Sequence, residues 1–179
     1  MKNLFLLVYF ITISVLGFSQ SQLPSHINLK EIQKEFMILY YKRCDSLGHK
    51  ISEDNSLLCL TECQLNYLKD FEHVSHKQEV GSKFYSLTDR YTFFYPEMAK
   101  ELNSNTDLGE VISLIGTGKT LHKQNNKELA RRLFNAFMKS DSHRKIMDEK
   151  QLTKVNFQVG VNKFNSVYIV GILSNKTLK

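Results

Sequence analysis

An α+β domain is what this sequence predicts, on three observations. Apolar residues recur at helical spacing through the first half of the chain, strict alternation of apolar and polar residues returns near the end, and no internal repeat or low-complexity linker separates the two. Helices first and a hairpin last place helices against a small antiparallel sheet.

The N-terminus precedes that domain. Met1-Lys2-Asn3 gives a short positive start, Leu4 to Leu16 is almost wholly apolar, and Gly17-Phe18-Ser19 puts small residues where a signal peptidase cuts. Residues 1–19 therefore read as a secretory signal. The apolar run falls short of the roughly 20 residues a spanning helix needs, and no cysteine at the cut offers a lipid anchor, so no membrane span is expected. Residues 20–179 remain as a single domain, large enough for a substantial core, in a secreted or periplasmic location.

From Asn28 to Leu47, Ile32, Phe36, Leu39, Tyr40, Cys44 and Leu47 keep helical spacing, and Gly48 is a natural stop. Asp54, Asn55 or Ser56 can cap a second helix, whose apolar positions Leu57, Leu60, Cys63, Leu68 and Phe71 run up to His73-Val74-Ser75-His76. Residues 77–108 read as a loop with short helical pieces, because aromatics crowd Phe84 to Tyr95, Pro96 interrupts, and Asn103-Ser104-Asn105 forms a turn. Val111 to Ile115 suits either a short strand or a helical turn. A third helix carries Leu129, Leu133, Phe134 and Phe137 on one face and ends near Ser140-Asp141-Ser142. Two strands close the chain: Val155, Phe157, Val159 and Val161 alternate with polar residues or glycine, and Val167 to Leu173 follows across a turn at 162–166.

Charge excludes one class of partner. Lys and Arg number 24 against 18 acidic residues, a net charge of +6. The basic residues are scattered among acids rather than gathered on one face, which is a solvated surface and not a nucleic-acid footprint. The odd count of three cysteines leaves open either a bridge from Cys44 to Cys59 or Cys63, or three small buried apolar residues.

Gly116-Thr117-Gly118-Lys119-Thr120 looks like the end of a phosphate-binding loop. That pattern requires glycine at 113, where serine stands, and an exported protein meets little ATP. The stretch reads as a flexible turn whose glycines permit positive φ. A Ser140–His143 hydrolase pair lacks an evident oxyanion donor or orienting acid. Ser140 more simply caps or stops a helix, and Arg144 would pair with an acid such as Glu110.

Phe137-x-x-Ser140-x-x-His143-Arg144-x-x-Met147, followed by Val159-Gly160-Val161 and an apolar strand, resembles the bacterial CAP (SCP-like) family. That family is related to cysteine-rich secretory proteins, venom antigen 5 and plant pathogenesis-related proteins. Its bacterial members carry W-x-x-S-x-x-H-R-x-x-[IM] here, with tryptophan where this chain has Phe137. Upstream, Leu60 to His76 is similar to a family helix ending in S-H, Asp89-Arg90 to a frequent D-R pair, and Gly109-Glu110-Val111-Ile112 to G-E-N-[IL]. The likeness spans residues 30–173 or so.

The resemblance implies a three-layer α-β-α sandwich with a cleft lined by two histidines and acids, which in several members bind a divalent metal, often zinc. Its histidines fall on His76 and His143 and its glutamate on Glu110, making these three the candidate metal ligands and the candidate catalytic residues. Two departures stand out: Asn135, Ala136 and Phe137 fill the turn where many relatives place another glutamate, and Val111 replaces the asparagine of G-E-N. The expected function is an exported binding module, holding a small apolar or lipid-like ligand, a peptide or a divalent metal without turnover. Aromatics between Phe84 and Phe94 would line the groove. The alternative is a metal-assisted hydrolase of peptides or cell-envelope material working through His76, His143 and Glu110.

Overall fold

A computed structural model describes residues 23–101, 107–116, 121 and 123–178. The signal-like segment 1–19, the turn at 103–105, Gly118-Lys119-Thr120 and His122 lie outside the described residues. No described helix is long and apolar enough to cross a membrane.

Helix α1 (Leu29–Ser46) starts where Asn28 accepts a hydrogen bond from the Glu31 amide, and it buries Ile32, Phe36, Met37, Tyr40 and Cys44. Gly48 ends it with a φ of 72° that a Cβ would oppose. A two-residue strand β1 (Ser52–Glu53), absent from the sequence expectation, precedes a 3₁₀ turn capped by Asp54. Helix α2 (Leu58–Leu68) follows. Then come α3 (Leu87–Phe94) with a capping box from Ser86 and Asp89, the single turn α4 (Pro96–Ala99), and strand β2 (Leu108–Ile115). Helices α5 (Asn126–Lys139) and α6 (Asp141–Met147) meet at Ser140, which ends the first and caps the second. Strands β3 (Lys154–Val161) and β4 (Val167–Ser174) complete the described chain.

The sheet order is β1-β3-β4-β2, with β1 parallel to β3 and the other pairs antiparallel. Central β4 is buried along its whole length because both faces are covered. Val167, Ile169 and Leu173 join α1 and α5 in the larger core, whereas Tyr168, Val170 and Ile172 face the α2 and α3 side. The result is an α+β sandwich with helices on both faces of one sheet. Phe36 centres the larger core, its ring 4.9 Å from Phe157, 5.8 Å from Phe137 and 6.0 Å from Phe134.

Two expectations need correction. The second helix does not run to His76; it stops at Leu68, because the β3–β4 turn captures the chain just beyond. The Lys163 amide donates to the Lys69 carbonyl at 2.9 Å and Asn162 Nδ2 donates to the Phe71 carbonyl at 2.7 Å. A tertiary contact thus satisfies carbonyls that another helical turn would have used. A separate α6 also went unforeseen: Ser140, expected to cap or stop one helix, does both, ending α5 and capping α6. Of the two readings left open for the cysteines, the structure has the unbridged one: all three are free. Cys44 lies in the α1/α5 core while Cys59 packs with the cluster on the other face, so the sheet separates them. Burial pushes the Cys44 thiol up to about 11.

Candidate functional site

The site forms at β2, an edge strand, where elements of both helical layers meet. Alternation along the strand sends Leu108, Glu110 and Ile112 toward α2 and α3, and Val111 into the opposite core. Gly109 also faces that opposite side, and α6 packs directly on it: a Cβ there would stand 2.5 Å from Ile146 Cγ2. The glycine is what lets α6 approach the strand closely enough to bring His143 to the site.

Glu110 is buried, with only 6% of its surface exposed. Its two oxygens have separate partners. Oε1 accepts a short hydrogen bond from Arg90 Nη2, and Oε2 accepts from His76 Nδ1 at 2.9 Å. Arg90 rises from α3 with its side chain wholly buried and also donates from Nη1 to the Phe84 carbonyl at 3.2 Å. A buried carboxylate needs such a counter-charge, because burial alone would favour its neutral form.

His76 sits in the long loop between α2 and α3, and the loop is pinned on either side of it. Gln64, fully buried on α2, donates to the Ser75 carbonyl at 2.6 Å, and Gln78 donates to Gln64 Oε1 at 3.0 Å. The Gln78 amide in turn reaches the Tyr85 carbonyl at 2.8 Å. His143 lies in the first turn of α6, where Ser140 Oγ accepts from its amide at 3.5 Å. The edge of the Phe137 ring supports the imidazole, with centroids 5.4 Å apart.

These placements leave His76 Nε2 and His143 Nε2 facing each other at 3.4 Å. The neutral tautomer of His76 that donates from Nδ1 to Glu110 carries its lone pair at Nε2, on the side of His143. Burial first, and the neighbouring His76 second, hold His143 below the usual 6.5 of an imidazole. That favours the neutral ring of His143.

Tetrahedral zinc with Zn–N bonds of about 2.0–2.1 Å holds two ligand nitrogens about 3.3–3.4 Å apart. The histidine pair has that separation. Glu110, however, binds the far nitrogen of His76 and is held by Arg90, so it does not converge with the two Nε2 atoms as a third ligand. Among the described residues, no group of three His, Cys, Asp or Glu side chains is arranged to hold a metal ion.

Other expectations fare differently. Arg144 pairs with Asp141 at 2.5 Å, not with Glu110, whose buried oxygens are already taken. Ser140 Oγ contacts Ser142 Oγ at 3.1 Å and the His143 amide, not the His143 imidazole, so its role is capping. Phe84, Phe93 and Phe94 pack on one another, and Lys83 Nζ lies 3.9 Å from the Phe93 centroid. They form a partly exposed aromatic cluster. Sequence reading passed over the role of Arg90: Asp89-Arg90 was visible as a pair, but only Ser86 three residues before Asp89 hinted that the aspartate caps a helix and the arginine is free to turn inward.

Comparison with known proteins gives a structural likeness. The chain is similar to an outer surface protein from Borrelia burgdorferi, with a TM-score of 0.59 and 15% identity over 86% of this chain and 97% of that one. No family model and no curated protein matches the sequence. The likeness supports the fold alone.

Proposed function

We propose that this protein is an exported binding module in which His76 and His143 take up a divalent cation such as zinc without turnover. The observation that carries the reading is the 3.4 Å between the two Nε2 atoms, together with Glu110 on the opposite nitrogen of His76. Two imidazoles would hold the metal, and bound ligand or water would fill its other positions. Glu110 acts through His76, fixing the tautomer and ring orientation. Being locked between Arg90 and His76, it has no free oxygen with which to accept a proton from a metal-bound water, which favours binding over hydrolysis. Export is supported by the signal-like N-terminus and is compatible with the surface location named for the structural neighbour.

The test is metal analysis of the purified protein with zinc titration of wild type, His76→Ala and His143→Ala. Saturable binding near one equivalent in wild type, lost in both variants, supports the proposal. Identical titrations of all three would refute it.

A further inference from the structure

One stripe of α1 carries a feature that the histidine site does not use. Lys30, Lys34, Met37 and Tyr41 recur at intervals of three or four residues and so lie on one face of the helix. Together with Glu53 of β1 and Gln158 of β3 they line a recess of about 500 Å³, within the size range of small-ligand sites.

Charge is sorted along this recess. At one end Tyr41 Oη donates to Glu53 Oε1 at 3.2 Å, which fixes the carboxylate in place. Toward the other end stand Lys34 and Lys30, which the helical rise sets about 10 Å and about 16 Å from Tyr41. Among the described residues none of these three charged groups is in an ion pair. Between Lys34 and Tyr41 the helix presents Met37, which is buried, and Ile38, which leaves 37% of its surface exposed. Gln33 and Gln158 add side-chain amides, each able both to donate and to accept.

A ligand with a single charge would find its complement at one end and nothing to pair with the other. An acid and two bases held apart across an apolar middle instead complement a molecule with an ammonium and a carboxylate at that separation. We propose that the recess binds a short peptide with both termini free, its ammonium on Glu53, its carboxylate on Lys34 and Lys30, and an apolar side chain over Met37 and Ile38. Three extended residues reach about 10 Å, the interval from Tyr41 to Lys34, and the flexible lysine stems let both ammonium groups turn to one carboxylate. Gln33 and Gln158 serve the peptide groups between. Every contact comes from a side chain that lines the recess, and none of these residues belongs to the histidine pair.

The probe is the tripeptide Ala-Leu-Val, titrated into the intact protein and followed by calorimetry. The free peptide should bind saturably. Acetylating its N-terminus or amidating its C-terminus should each weaken binding about threefold, the size of one exposed ion pair. Glu53→Lys should reverse the order of the free and acetylated peptides, and Lys30→Glu combined with Lys34→Glu the order of the free and amidated ones, while His76→Ala leaves all affinities unchanged. If a charge reversal unfolds the protein, the wild-type series alone decides. On wild type, 6-aminohexanoate, which has both charges but no side chain or peptide group, should bind more weakly than the tripeptide. No saturable binding, or equal affinity for the free and the doubly capped peptide, overturns the proposal. So does 6-aminohexanoate binding as well as the tripeptide, because the occupant is then a simple zwitterion and not a peptide.

Discussion

Gly109 and Glu110 are neighbours on β2 that serve opposite layers: the glycine admits Ile146 of α6 on one face, and the glutamate receives Arg90 and His76 on the other. The dipeptide thereby couples two helical layers to one pair of imidazoles. Gly109→Ala places a methyl group 2.5 Å from Ile146 Cγ2, and overpacking of this kind costs about 1–3 kcal/mol. Urea denaturation should show that loss, with partial recovery in Gly109→Ala/Ile146→Ala. Full stability in the single variant would mean that α6 does not depend on this contact.

Arg90→Met strands the Glu110 carboxylate in a site that is almost wholly closed to water. Breaking a buried pair from one side costs about 3–5 kcal/mol, whereas removing both charges costs far less. Arg90→Met/Glu110→Met should therefore be more stable than Arg90→Met alone, as read from denaturation midpoints. The reverse order would show that the pair is not a mutually compensating unit.

Glu110→Gln keeps the shape of the side chain but removes the charge that holds the His76 Nδ1 proton. Loss of such an orienting partner lowers metal affinity by about 10–100-fold. Zinc calorimetry on the variant checks this, and an affinity equal to wild type would sever Glu110 from the proposed metal site.

Acid should weaken the site and, to a smaller extent, the fold. The pKa of His143 is held below 6.5 in the folded protein, so the unfolded chain binds the proton more readily. Its contribution to stability is then fully present above about 6.5 and is lost as the pH falls through the lower folded value. His143→Gln should flatten the thermal midpoint between pH 7 and 5, in about the range where an imidazole titrates. Unchanged acid sensitivity in that variant would assign it to other groups.

Much of the fold was legible because it rests on local signals. Ile32, Phe36, Tyr40 and Cys44 mark α1 by spacing, and Val155, Phe157 and Val159 mark β3 by alternation. What escaped depends on distant partners. The end of α2 is set by Asn162 and Lys163, nearly a hundred residues away, and β1 exists only because Lys154 and Val155 offer it an edge. His76, Glu110 and His143 could be singled out as residue types in familiar phrases. That Glu110 serves a histidine rather than a cation follows from Arg90, whose burial no local pattern announces.

The strand at the middle of the sheet is also the last one described. Leu108 at the start of β2 lies opposite Ser174 in β4, and Lys154 of β3 lies opposite the same residue from the other side. Until that segment has been synthesised, the two strands that flank it, β2 and β3, have nothing between them to join. Early portions of the chain can form helices, but the acid and its imidazoles take their places only after synthesis has passed Ser174, with apolar surface exposed meanwhile. A chaperone would find its longest window on this protein in that interval.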